Sequence, residues 1–184
     1  MQALKLHNFY TDPDNKSYLD ANNIDLNVII SLLKKLFKYE YETKVSQMNC
    51  LAKILKVYEM QRAFFGYKDH SDLTASLIDI GRTYKLLNEH SKALEYCVEG
   101  LEMQQRIYGA GDYLDLSRSL YMIGSIQDEL NQHSQALDCK LKAFEMQQRL
   151  FGSVDHRYLA RSLINIGFTY SNLSEYSKAL EYHS

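Results

Sequence analysis

Residues 90–113 read HSKALEYCVEGLEMQQRIYGAGDY, and residues 133–156 read HSQALDCKLKAFEMQQRLFGSVDH. The second stretch begins 43 residues after the first and repeats its EMQQR, the two apolar residues behind it, the glycine and the aspartate. Catalytic side chains rarely recur at a fixed interval, whereas a structural unit that stacks on its twin must. The interval holds elsewhere. Gly81, Gly124 and Gly167 keep it, as do Ala93, Ala136 and Ala179, and Met60, Met103 and Met146. Gly66, Gly109 and Gly152 keep it too, and so do Asp69, Asp112 and Asp155.

Within one unit the apolar residues follow helical spacing twice. Leu77, Ile80, Gly81 and Tyr84 fall at i, i+3, i+4 and i+7, a single stripe. Ala93, Leu94, Cys97, Val98, Leu101 and Tyr108 make a second, longer stripe. The polar segment LLNEHSKA between them has the length of a turn joining antiparallel helices. Small residues at 81, 93 and 100 are expected where two helices approach closely. The recurring aspartates suit a helix start, with Asp72 and Asp115 following in two units, because a carboxylate there accepts unpaired backbone N–H groups. EMQQR, close to the end of the second helix, is expected to pack between units through its methionine, with Gln and Arg at the edge.

Composition excludes several classes. One proline (Pro13) and eight glycines leave little room for turn-rich β architecture. A formal net charge of −2 does not advertise nucleic acid. The first twenty residues lack the basic segment and apolar run of a secretory signal, and no stretch of eighteen apolar residues predicts a membrane span. Three cysteines without a CxxC give no disulfide framework. A cytoplasmic, reducing location is the expectation.

The pattern resembles the tetratricopeptide repeat. Leu77, Ile80, Gly81, Tyr84, Ala93 and Cys97 occupy its signature slots; Leu120, Ile123, Gly124, Gln127, Ala136 and Lys140 follow, then Leu163, Ile166, Gly167, Tyr170, Ala179 and His183. The usual unit is about 34 residues, so the second helix and its connector are longer here. DHSDLTASLIDIG and DHRYLARSLINIG are similar to the long repeats of kinesin light chain, and DYLDLSRSLYMIG less so; Ser71, Leu114 and Arg157 replace the proline of that motif. The resemblance covers residues from about 45 to 184. It implies an all-α fold, a right-handed α-α superhelix of antiparallel helix pairs. Residues 1–22 are expected to be a loosely ordered lead-in. Residues 23–69 form a divergent N-terminal pair or cap, 70–112 and 113–155 two full units, and 156–184 a truncated third. Ser184 aligns with Leu141 in mid-helix, so the chain reads as a segment of a longer array.

Candidate chemistry is sparse. His90 and His133 recur but give way to Tyr176 in the third unit, so aromatic packing beneath the turn is favoured over metal binding. His70 and His156 read as capping and packing residues. Cys50, Cys97 and Cys139 read as small apolar residues of packed faces. Asp12 and Asp14 open a calcium-loop-like segment, but Ser17 and Asn23 replace its glycine and glutamate. Lys34, Lys35, Lys38, Lys53 and Lys56 read as the solvated face of amphipathic helices. No phosphate loop, zinc helix or nucleophile elbow is present. No catalytic residue, metal or cofactor is expected.

What the resemblance implies instead is a binding groove lined by first helices. Its groove positions fall on Ala75, Ile78, Asp79, Arg82 and Lys85, then Arg118, Tyr121, Met122, Ser125 and Asp128, then Arg161, Ile164, Asn165, Phe168 and Ser171. Of these, Ile78, Arg82, Lys85, Arg118, Tyr121, Ser125, Arg161, Ile164, Asn165 and Phe168 are the candidate partner-binding set. Ile78, Tyr121, Ile164 and Phe168 either anchor a ligand or pack between neighbouring first helices. The arginines either meet carboxylates of a bound peptide or stay solvated. Only Arg82 fits the pattern that grips a C-terminal carboxylate, so that mode is not expected. The function read from the sequence is a non-catalytic scaffold for a protein or peptide, with no nucleic acid or membrane partner. The alternative is a self-associating or regulatory segment of a larger protein. Its oligomer contact would be the truncated C-terminal helix, through Ala179, Leu180 and Tyr182.

Overall fold

The computed structural model describes residues 44–66, 68–109, 111–152 and 157–183. The lead-in at 1–22, the calcium-loop-like segment, the amphipathic stretch bearing Lys34, Lys35 and Lys38, and the Asp155–His156 pair lie outside the described residues.

Among the described residues seven helices follow one another and there is no strand. They are α1 (Lys44–Phe65), α2 (Ser71–Leu86), α3 (His90–Tyr108), α4 (Leu114–Glu129), α5 (His133–Phe151), α6 (Arg157–Asn172) and α7 (Tyr176–His183). Each packs on the next in chain order, and α2 also touches α4 across the helix between them. The result is an all-α helical repeat superhelix.

The three tight turns share one cause. At the end of α2 the Asn88 N–H donates to the Lys85 carbonyl and the Glu89 N–H to the Tyr84 carbonyl, both at 3.0 Å. Asn131 and Gln132 repeat these bonds on Asp128 and Gln127, and Ser174 and Glu175 on Ser171 and Tyr170. Such a pair satisfies the last helical carbonyls if one residue turns left-handed. Asn88, Asn131 and Ser174 do so, at φ 62°, 59° and 62°. Longer connectors after α3 and α5 leave through Gly109 and Gly152, at φ 71° and 68° with ψ near −155°, a region open to little but glycine.

Close approach within a pair is set by the recurring glycine and alanine, as expected. A β-carbon built on Gly81 would lie 2.4 Å from the Cys97 sulfur and 2.9 Å from the Ala93 carbonyl. One on Gly124 would lie 2.8 Å from the Ala136 carbonyl. Gly100 faces Leu77 and Ile78, where an added carbon would meet the Ile78 Cδ1 at 3.0 Å.

The core runs along the stack as successive apolar clusters. Tyr58, Leu73, Leu77, Ile80 and Met103 join α1, α2 and α3. Ala93, Cys97, Ile123 and Ile126 join α3 to α4. Ile166, Tyr170 and Ala179 gather Leu137, Leu141 and Phe144 from α5 and Tyr182 from α7. Leu77, Ile80, Ile126 and Ile166 are fully buried, each worth roughly 1.5–3 kcal/mol of transfer free energy. Burial pushes the Cys97 thiol up to about 12, the behaviour of an inert core residue.

EMQQR divides its labour differently from the expectation. Its first glutamine, not an edge residue, is buried at both occurrences, Gln104 and Gln147, and so is Gln61, which holds the equivalent place in the shorter EMQR of α1. Gln61 accepts from the Ser76 hydroxyl of the following helix at 2.6 Å, and Gln147 from Ser162 at 2.7 Å. Gln104 is buried with its Oε1 unpartnered. The arginine reaches back 37 residues: Arg106 grips Asp69 through Nε and Nη2 at 2.7 and 3.0 Å, and Arg149 grips Asp112 at 2.7 and 2.9 Å. These forks fasten the open end of each helix pair, opposite its turn. Asp69 and Asp112 are therefore partners of arginine rather than helix caps, and those hydrogen bonds hold both carboxyls below their ordinary range. The α2 cap is His70, whose Nδ1 accepts from the Asp72 N–H at 3.2 Å while its ring stacks on Phe65 at 3.7 Å.

The two full junctions differ in kind. Between α3 and α4, Cys97 and Ile126 belong to one cluster of buried apolar side chains. One period on, Lys140 stands in place of Cys97 and Thr169 in place of Ile126. Lys140 is 3% exposed, and its ammonium is held by Asp128 Oδ2, by Thr169 Oγ1 at 2.8 Å and by the Asn165 carbonyl at 3.3 Å. Thr169 in turn donates to Asp128 at 2.8 Å.

Candidate functional site

The first helices α2, α4 and α6 carry the groove positions. Ile78 and Arg82 of α2, Arg118, Tyr121 and Met122 of α4, Arg161 and Ser162 of α6, and Gln147 of α5 line one cavity of about 240 Å³. Three successive units thus contribute to one recess. Five of the ten candidate residues lie there: Ile78, Arg82, Arg118, Tyr121 and Arg161. Gln147 and Ser162 were not among them; they form the buried inter-unit hydrogen bond already described, and Gln147 Nε2 also points to Ser117 Oγ at 3.5 Å.

The arginines are held differently. Arg82 donates to Asp79 at 2.8 Å and Arg118 to Asp115 at 3.4 Å, both one turn apart on their own helices. Arg161 has no carboxylate partner among the described residues; its guanidinium lies over the Tyr121 ring, 5.4 Å from the centroid. A planar cation favours the negative face of an aromatic ring, and α6 presents Arg161 directly across from α4. No carboxylate lines the cavity itself.

Ile78 both lines the recess and packs against the α3–α4 cluster, and Tyr121 is half-buried. Ile164 and Phe168, one turn apart on α6, are 57% and 59% exposed. The Asn165 amide donates to its own Arg161 carbonyl at 2.7 Å, which leaves its oxygen for another donor.

Lys85 and Ser125 are not at the cavity: the Lys85 ammonium donates to the Ser125 hydroxyl, joining α2 to α4. Burial lowers the Lys85 pKa, with Glu129 opposing the shift. Beside them lies the Lys140 cluster, where the Asp128 carboxylate also meets His133 Nδ1 at 2.9 Å. Burial alone would raise the Asp128 carboxyl, but hydrogen bonds from Lys140, His133 and Thr169 outweigh it and hold it below the usual range. His133 is thus part of a polar network rather than an aromatic plug, and Tyr176 in the same slot is exposed.

Among the described residues no group of three His, Cys, Asp or Glu side chains is placed to hold a metal, and no helix is long and apolar enough to cross a membrane.

Residues 72–149 match the tetratricopeptide repeat family model. No curated protein matches the chain in sequence. Among solved structures, BtubC (BKLC) from P. vanneervenii is similar at a TM-score of 0.61 and 18% identity, over 98% of this chain and 82% of that one. The nearly identical TPR-like repeats assigned to a kinesin light chain of Podosopora anserina give 0.61 and 13%, over 98% and 90%. A signal transduction ATPase from Pyrococcus horikoshii with a tetratricopeptide repeat sensor gives 0.64 and 20%, over 97% of this chain but 28% of that one. Helix pairs, period and Gly–Ala crossings agree with the family match over residues 72–149, and these likenesses agree on the fold, an all-α helical superhelix like the TPR-like repeats of a kinesin light chain.

Proposed function

We propose that this array binds a peptide segment of a partner protein along the wall formed by α2, α4 and α6. Tetratricopeptide arrays serve protein–protein interaction, and the finer reading rests on one observation. Ile164 and Phe168 stand more than half exposed on α6, the helix that lends Arg161 and Ser162 to a recess built by three successive first helices. Apolar side chains kept in water at a concave joint favour a ligand that covers them, and aromatic and arginine side chains are the usual anchors of such contacts. The arginines around the recess suit carboxylates on that peptide.

A random twelve-residue peptide library displayed on phage would supply a ligand, to be titrated calorimetrically against the 184-residue chain. Alanine at Tyr121, Ile164 and Phe168 together should weaken binding at least tenfold and leave the circular dichroism melt nearly unmoved. Undiminished affinity overturns the groove reading.

A second reading, self-association, is favoured by α7. Leu137 packs against the next pair's cluster, whereas its equivalent Leu180 is 71% exposed. A second copy could cover that face. Sedimentation velocity should then show a dimer that Leu180→Glu converts to monomer; a monomeric parent chain at high concentration removes this reading.

A further inference from the structure

We propose that the recess takes a phosphorylated side chain, so that the partner peptide is recognised by a phosphate monoester. This rests on the groove reading above and makes it specific. The recess holds about 240 Å³, space for one side chain rather than a stretch of backbone. Three guanidinium groups from three different helices, Arg82, Arg118 and Arg161, line it, and no carboxylate does. Arg82 meets Asp79 at 2.8 Å and Arg118 meets Asp115 at 3.4 Å, each through Nη1 on its own helix, and a guanidinium carries more N–H donors than one such contact uses. Arg161 is oriented by the Tyr121 ring alone, with no anion beside it among the described residues.

A carboxylate offers one charge and two oxygens, enough for one guanidinium fork. A phosphate monoester carries close to two charges at neutral pH and three acceptor oxygens, so it can engage forks arriving from more than one helix. Arginine clusters are the common means of reading that group. Ile78 and Tyr121 supply an apolar wall for the carbon part of the modified residue. Because the recess spans α2, α4 and α6, the ligand would bind only when all three are stacked.

Degenerate synthetic peptides with a fixed central phosphoserine, phosphothreonine or phosphotyrosine, and the same pools after phosphatase treatment, would be passed over the immobilised 184-residue chain. At least one phosphorylated pool should be retained tenfold or more over its treated counterpart, and the three pools tell which alcohol bears the group. Arg161→Gln and Arg118→Gln, both at exposed positions, should each remove that preference while the circular dichroism melt stays put. Equal retention of treated and untreated pools overturns the phosphate assignment and leaves the groove standing. A phosphate preference that survives both substitutions places recognition elsewhere and overturns it too. Retention of no pool, phosphorylated or not, overturns the assignment together with the groove reading beneath it.

Discussion

Lys140 occupies a slot that its repeat equivalent, Cys97, fills with a small apolar group. An ammonium taken out of water stays folded-in only because Asp128, Thr169 and a backbone carbonyl surround it. Removing one partner from such a site costs about 3–5 kcal/mol, whereas replacing the whole pair with apolar groups is often neutral or better. Asp128→Asn should therefore lower the thermal midpoint strongly, and Lys140→Met with Asp128→Leu should recover most of it in a circular dichroism melt. An equal loss in both variants would mean that packing, not charge, governs this site. The cluster was not legible in the sequence, because matching Lys140 to a signature slot says where the side chain lies and nothing of its company. Asp128 was assigned to the groove, and only the crossing of α4, α5 and α6 turns it towards Lys140.

At the level of elements, spacing carried most of the information. Gly81, Ala93 and Gly100 announce helix crossings because only small side chains let two backbones come so close, and the structure places them there. The glutamine and arginine of EMQQR were harder. Their partners lie 15 residues ahead and 37 behind, separations that acquire meaning only once the helices are known to fold back antiparallel. The Arg106–Asp69 fork is exposed to water, so its contribution is local rather than global. Arg106→Ala should speed amide hydrogen exchange in the last turn of α3 and the first of α2 while leaving the overall melt nearly unchanged. Unaltered exchange at both places would show that the fork fastens nothing.

A stack of this kind draws its stability from each pair and from each junction with its neighbour. The Asp128 carboxyl is held below its unfolded value, so what it adds is complete above about pH 4 and drains away as the pH falls further, through the folded pKa. Hydrogen exchange mass spectrometry across an acid series should find α6 and α7 loosening before α2 and α3. Simultaneous opening of the whole chain would show that the polar junction is not the weak point in acid. The superhelix was the most legible feature of all, since five sets of residues repeat together and a period admits few architectures. The recess was legible only in part. The family's groove positions pointed to its arginines and Tyr121, but not to Gln147 or Ser162, because those reach it from a contact between units.

The contrast between the two junctions bears on how the chain assembles. Repeat proteins risk docking one module on the wrong neighbour as they fold. Were α6 to settle directly against α3, Thr169 would face Cys97 with Lys85 standing where Asp128 belongs and no acid to accept its proton, and Lys140 would lose Thr169 and the Asn165 carbonyl. Modules alike enough to be exchanged on apolar grounds are thus told apart by a single polar key, and the serial order of the array is proofread by its own interior.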